Sequence, residues 1–126
     1  MSSGLVDLLG STLFLGTGPG CYKKLTTADA LKSTRAVALY FSAHWCPPCR
    51  GFTPHFVTSY TEDLKEKGLE VIFVSSDKDE DAFENYFGEM PWLSIPYADR
   101  SRKEALTKRF KVRGIPAVIV LDESGT

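Results

Sequence analysis

The period of the hydrophobic pattern changes several times along the chain, and each change marks an element. Near the start, Leu5, Leu8 and Leu9 share one face of a short helical turn over residues 2–10, with Ser2 or Ser3 as cap and Gly10 as its end. Thr12 to Leu15 and Tyr22 to Leu25 read as short strands around the turn cluster Gly16-Thr17-Gly18-Pro19-Gly20, which makes a small N-terminal hairpin. Thr27 or Asp29 caps a brief helical turn through Leu31. Ala36-Val37-Ala38-Leu39-Tyr40-Phe41 is apolar at every position, as a central parallel strand buried on both faces must be. Phe52, Phe56, Tyr60 and Leu64 then recur at i, i+4 spacing, with Val57 widening the stripe, and predict a helix that ends at Gly68. Pro54 lies inside it, where it removes one backbone hydrogen bond and bends the axis.

Leu69 to Ser75, rich in Val and Ile, is the next strand. The acidic run Asp77-Lys78-Asp79-Glu80-Asp81 reads as a solvated helix start whose carboxylates favour the N-terminal dipole, and Phe83, Tyr86 and Phe87 supply the buried face. Pro91 and Pro96 bracket an extended segment in which Trp92 packs into the core. Ser101-Arg102-Lys103-Glu104 has capping-box spacing, and Leu106 and Phe110 mark the inner side of the helix that follows. After Gly114-Ile115-Pro116 comes a last strand, Ala117 to Leu121. The order β–α–β–α–(α)–β requires crossovers between parallel strands, hence an α/β fold with helices on both faces of a central sheet.

Bulk composition narrows the function classes. The 126 residues suffice for one domain and are too few for two, with residues 1–35 as an N-terminal extension and residues 36–126 as the core. Hydrophobic content of 43% and charged content of 25% are ordinary for a globular chain. A net charge of −1 draws neither nucleic acid nor an anionic membrane by bulk electrostatics. Met1 to Gly10 carries Asp7 and no basic segment, and so does not read as a signal peptide; no run of about 18 apolar residues predicts a membrane span. Three cysteines, an odd count, argue against a secreted disulfide scaffold and make a reducing cytoplasmic location the default, with the nucleus as the alternative.

The chemistry is concentrated in Ala43-His44-Trp45-Cys46-Pro47-Pro48-Cys49-Arg50. Two cysteines two residues apart can close a small disulfide and open it again. They fall between the apolar strand and the long helix, where free N–H groups and the helix dipole stabilise a thiolate at Cys46. Pro47 and Pro48 suit the first turn, whose N–H groups have no intrahelical partner. Cys46 is therefore the candidate nucleophile, exposed at the helix start, and Cys49, one turn on, the resolving thiol. The competing arrangement is a zinc site of Cys46, Cys49, His44 and His55. No second CxxC supports it, and the two prolines orient the thiols poorly for a tetrahedron, so no metal is expected. Glycines at 16, 18 and 20 lack the Lys-Ser or Lys-Thr of a phosphate loop, and no organic cofactor is expected. Cys21 reads as a free thiol.

These motifs resemble the tryparedoxin and nucleoredoxin branch of the thioredoxin superfamily. Trp45-Cys46-Pro47-Pro48-Cys49 is similar to its active site, and Tyr40-Phe41-Ser42-Ala43-His44-Trp45, Arg50-Gly51-Phe52-Thr53-Pro54, Val74-Ser75-Ser76-Asp77, Met90-Pro91-Trp92-Leu93 and Gly114-Ile115-Pro116 follow in the same order. The resemblance implies a thioredoxin-like three-layer sandwich with a mixed sheet, the strand after Pro116 antiparallel. It implies a cis bond before Pro116, with Ile115 and Pro116 facing the cysteines and presenting backbone to an extended substrate, and Trp45 as a platform or lid. Thioredoxin-like domains add a further strand and a closing helix, so the chain reads as truncated at its C-terminal end, leaving Ala117 to Leu121 with an unpaired edge.

The activity implied is protein-disulfide reduction by dithiol–disulfide exchange. Peroxiredoxin-type peroxidases are among the implied substrates, and trypanothione, glutathione or a reductase is the implied upstream donor. The alternative is a redox-sensitive adaptor of nucleoredoxin type with little turnover. Tryparedoxins usually carry tryptophan where this chain has Ser76, which leans towards nucleoredoxin. Tyr40 stands where many thioredoxins bury an acid, so the proton acceptor for Cys49 is left between water and Asp77.

Overall fold

The structure is a computed structural model that describes residues 3–18 and 21–122. Helix α1 is Ser3–Leu9, strand β1 Thr12–Gly18, β2 Cys21–Thr26 and α2 Thr27–Ala30; β3 is Ala36–Ser42 and α3 Pro47–Ser59. β4 is Leu69–Ser75, α4 Glu80–Phe87, β5 Leu93–Ser94, α5 Arg100–Arg109 and β6 Ala117–Asp122. The six strands form one mixed sheet in the order β2-β1-β5-β4-β3-β6. β3 and β4 are parallel over their full length, Ala36 opposite Leu69 and Ser42 opposite Ser75. β6 runs antiparallel to β3, with Phe41 opposite Ala117, and occupies the sheet edge, where Val120 is 62% exposed.

Alternation along the two central strands builds two cores. Val37, Leu39, Phe41, Ile72 and Val74 face Leu5 and Leu9 of α1 and Leu106 of α5. Ala38, Tyr40, Val71 and Phe73 face Phe56 of α3 and Phe83, Tyr86 and Phe87 of α4. Helices thus cover both faces, as expected for the sandwich.

Several local expectations are corrected by tertiary partners. Gly16 to Gly18 continue β1 rather than forming the turn; a Cβ on Gly16 would run into the Met90 carbonyl, so glycine is required by that close approach. Pro19 and Gly20 lie outside the described residues. The N-terminal hairpin is an integral part of the sheet, because β1 also pairs with β5, a two-residue strand that periodicity is too short to show. Thr26, not Thr27 or Asp29, caps α2 by accepting from the Asp29 N–H. Asp99, not Ser101, caps α5 by accepting from the Arg102 N–H. Each true cap lies outside the periodic stretch, where pattern carries no signal.

The long helix is also interrupted. After Ser59 it widens into a π-helical turn, Tyr60–Leu64, closed by the Lys65 N–H on the Tyr60 carbonyl at 3.0 Å. This turn carries Tyr60 into the core, where its ring stands 5.5 Å from that of Trp92 and its hydroxyl donates to Glu70 Oε1 at 2.7 Å. Phe52, the first residue of the predicted stripe, is left exposed. Gly68 takes φ of +93° at the end of the segment, which explains glycine there.

Burial raises the Glu70 carboxyl above its ordinary range, against the opposing pull of the Tyr60 hydroxyl, the Val71 N–H and Lys65. A raised folded-state value means that this group's contribution is full at acid pH and is lost as pH rises through that value. Glu70→Gln keeps the acceptor and removes the buried charge. In thermal melts it should gain on wild type as pH rises from about 4 to about 7; a constant difference across that range would show that Glu70 titrates normally.

Candidate active site

β3 delivers the motif to its carboxyl end, and α3 begins at once. Cys46 is the N-cap residue, extended at φ −96° and ψ 108°, and Pro47 and Pro48 occupy the first two helical positions, as expected. The Cys46 N–H bonds to the Ala43 carbonyl at 3.2 Å, and the Arg50 N–H to the Cys46 carbonyl at 3.1 Å. Antiparallel pairing of β6 with β3 sets the Ile115–Pro116 bond, which is cis, beside this turn. Cys46 Sγ points at the Ile115 carbonyl oxygen, 3.7 Å away, across 69 residues of sequence. The structure thus brings together Cys46, Cys49, Ile115 and Pro116.

Cys46 is not exposed as predicted: it is 5% exposed, and Cys49 0%. The reason is that a thiol at an N-cap turns inward towards the Ile115 loop, while Trp45, Pro47 and Pro48 take the solvent side. Trp45 is 52% exposed, yet its indole is anchored, Nε1 donating to the Ser76 carbonyl at 2.9 Å. Cys46 and Cys49 are free thiols within hydrogen-bond reach of one another. The Cys49 thiol is pushed up, first by burial and then by the bond to Cys46; Ser42 and the Ala43 backbone pull the other way.

One residue that sequence reasoning weighed as proton acceptor has a different setting, and one group of residues was missed. Asp77 is not a solvated helix acid. It is buried, accepts from the His44 N–H at 2.8 Å and from the Ser75 hydroxyl at 2.6 Å, and so ties the loop after β4 to the motif. Tyr97 reinforces that loop by donating its hydroxyl to the Asp77 carbonyl at 2.9 Å. The missed group is a buried chain of hydroxyls behind Cys49. Ser42 Oγ, which bonds to the Cys49 thiol, lies 2.8 Å from the Tyr86 hydroxyl; Tyr86 lies 2.6 Å from Thr53 Oγ1, and Thr53 2.5 Å from the Tyr40 hydroxyl. Thr53 also bonds to the Cys49 carbonyl at 2.9 Å. Ser42, set directly after the apolar run 36–41, was the available signal, since a buried hydroxyl needs a partner.

The remaining candidates lie outside this cluster. His44, Arg50 and His55 are solvent-exposed, His44 with its ring 5.4 Å from that of Tyr86. Among the described residues no group of three or more His, Cys, Asp or Glu side chains converges as metal ligands. Cys21 sits on β2, four strand spacings from β3, about 19 Å across the sheet.

A helix N-terminus holding two thiols against a cis-proline loop on a mixed sheet is the architecture of a thioredoxin-like thiol oxidoreductase domain, and the chain belongs to that family. The sequence model of the family described as thioredoxin-like matches residues 34–126. Within it the chain falls in the tryparedoxin and nucleoredoxin branch. It is 53% identical over 91 residues to a nucleoredoxin of Bos taurus, a match that covers 71% of this chain and 21% of that protein. It is 46% identical over 88 residues to a tryparedoxin of Trypanosoma brucei brucei, covering 70% of this chain and 61% of the relative. The chain therefore spans about a fifth of the nucleoredoxin's length. A tryparedoxin II solved in complex with glutathionylspermidine superposes with a TM-score of 0.86 at 32% identity, over 98% of this chain and 83% of the other.

Proposed function

We propose that the protein reduces protein disulfides by dithiol–disulfide exchange, with Cys46 as nucleophile and Cys49 as resolving thiol. The observation that carries this reading is Cys46 at the first turn of α3, its sulfur against the Ile115 carbonyl and Cys49 within reach behind it. The Cys46 thiolate attacks one sulfur of a substrate disulfide; that S–S bond breaks, a mixed disulfide forms, and the departing thiolate takes a proton. Cys49 then loses its proton and attacks Cys46 Sγ, releasing the second substrate thiol and leaving Cys46–Cys49 oxidised. Two electrons have passed to the substrate, and an upstream dithiol or thiol of the trypanothione or glutathione kind, or a reductase, returns them. The tryparedoxin neighbour bound to glutathionylspermidine supports a thiol donor of that class. A reducing compartment, cytoplasm or nucleus, suits the free thiols.

In this scheme the Ser42 hydroxyl holds the Cys49 thiol and Thr53 its carbonyl, with Tyr86 joining the two hydroxyls, while the Cys49 proton passes to water at the mouth of the site. Asp77 is occupied by His44 and Ser75 and takes no direct part. Substrate lies along Ile115 and Pro116, with Trp45 as an anchored platform beside the sulfur.

The test combines trapping and pH. Cys49→Ser should accumulate substrate on Cys46 as a mixed disulfide. In the unaltered protein, resolution should accelerate with pH above neutral, because the Cys49 thiol is raised and its thiolate fraction grows about tenfold per pH unit below its midpoint. Limited alkylation at mildly acidic pH should label Cys46 before Cys49. Labelling of Cys49 first, or a Cys49→Ser variant that turns over normally, would reverse or remove the assigned roles. Tight partner capture without turnover of an insulin-type disulfide would instead favour the adaptor.

Tyr86→Phe removes the central hydroxyl of the chain and leaves Ser42 and Thr53 each short of a partner. It should destabilise the fold by about 1–3 kcal/mol and slow resolution more than substrate attack. Equal slowing of both steps in stopped-flow thiol kinetics would detach the hydroxyls from Cys49.

A further inference from the structure

Residues 100–113 carry seven Lys or Arg and a single acid, Glu104, in a chain whose net charge is −1. Two of these cations are used internally. Arg100 donates to the Ser75 and Tyr97 carbonyls, and Arg102 pairs with Asp99 and reaches the Asp7 and Leu8 carbonyls. Lys103 and Arg113 are different: both line a cleft of about 340 Å³ that opens beside the motif. Phe41, Val112 and Ile115 give this cleft apolar walls, Trp45 borders it, and among the described residues none that lines it is acidic. The Ile115 whose carbonyl faces Cys46 Sγ is part of that wall, so the cleft adjoins the loop that meets the reacting sulfur.

The charge beside the cleft is only loosely committed. Arg113 makes no hydrogen bond or ion pair among the described residues. The Lys103 side chain is only 20% exposed, and among the described residues its one ion-pair partner is Glu104 at 3.5 Å, a carboxylate 74% exposed and already well solvated. Two cations with spare donors on an apolar-walled cleft match a carboxylate presented by a peptide. Charge-assisted bonds to carboxylates are stronger than neutral ones, and such complementarity acts on both encounter and orientation.

We infer that this cleft selects disulfide substrates whose reactive cysteine is flanked by acidic residues, with Lys103 and Arg113 taking the carboxylates. The inference rests on the disulfide-exchange reading above and names its substrate class, an acidic peptide segment.

The test uses three peptides with the same intramolecular disulfide, flanked by Asp and Glu, by Gly and Ser, or by Lys and Arg. At low salt kcat/KM should fall in that order, with about tenfold between the extremes. The spread should collapse in about 1 M KCl, where the screening length is about 3 Å. The double variant Lys103→Glu with Arg113→Glu should invert the order, whereas Lys23→Glu, on the far edge strand β2, should preserve it. Equal reduction of all three peptides by the unaltered protein overturns the inference and leaves the exchange chemistry standing. An acidic preference that survives the double variant overturns it as well. If none of the peptides is reduced, the exchange reading itself fails and this inference with it.

Discussion

Cys46→Ser abolishes disulfide reduction, by more than about three orders of magnitude, while the folded state changes by about 1 kcal/mol or less. The first part follows from the chemistry: serine at a helix N-terminus is not a thiolate, and Cys49, 0% exposed, cannot replace it as the attacking group. The second follows from the packing. The Cys46 side chain makes only weak bonds, to the Ile115 carbonyl at 3.7 Å and to the Cys49 thiol, and a serine hydroxyl can bond to the same two partners. An insulin-type reduction assay and a thermal melt on one preparation check both halves. Retained turnover would place the chemistry elsewhere; a large loss of stability would make the cysteine pair structural.

Trp92→Ala should be the most destabilising single change considered, at about 3–5 kcal/mol, a large share of the roughly 5–15 kcal/mol that holds a domain together. Trp92 is fully buried, with its ring 5.1 Å from Phe56, 5.5 Å from Tyr60 and 5.9 Å from Tyr40. Those three residues come from β3, α3 and the π-helical turn, so one cavity loosens three elements at once. The melting midpoint should fall by roughly 10–20 °C. Trp92→Phe is the informative companion. It keeps an aromatic ring in the cage and deletes the indole N–H, which has no hydrogen-bond partner among the described residues. An unpaired buried donor is itself a cost, so this variant should lose well under half of what alanine loses. If alanine cost as little as phenylalanine, the cage would not be what joins α3 to the sheet.

Much of this molecule is legible without coordinates because its signals are local. An all-apolar run between polar flanks is a buried strand wherever it sits, and β3 and β4 appear where periodicity puts them. Two prolines after Cys46 mark a helix start by the geometry of their own rings. The resemblance carried further, to the cis bond before Pro116 and its position opposite the thiols. Signals that depend on a distant partner misled. Asp77 heads an acidic run and looks like a dipole companion, yet its carboxylate is claimed by His44, 33 residues earlier. Cys46 looks exposed because its sequence neighbours are, and it is covered by a loop 69 residues later.

By itself, then, the sequence determined which segments are buried, where the helix carrying the thiols begins, and which two cysteines lie one helical turn apart. Those properties depend on periodicity, on proline and on spacing within one turn. Only the tertiary structure decided that Asp77 holds the motif, that Ser42, Tyr86 and Thr53 stand behind Cys49, that the helix widens at Tyr60, and that Lys103 and Arg113 share a cleft with Ile115. Each of these is a contact between residues far apart in the chain, settled by strand order and register, and no local pattern encodes which distant hydroxyl, carboxylate or cation will arrive at a given place.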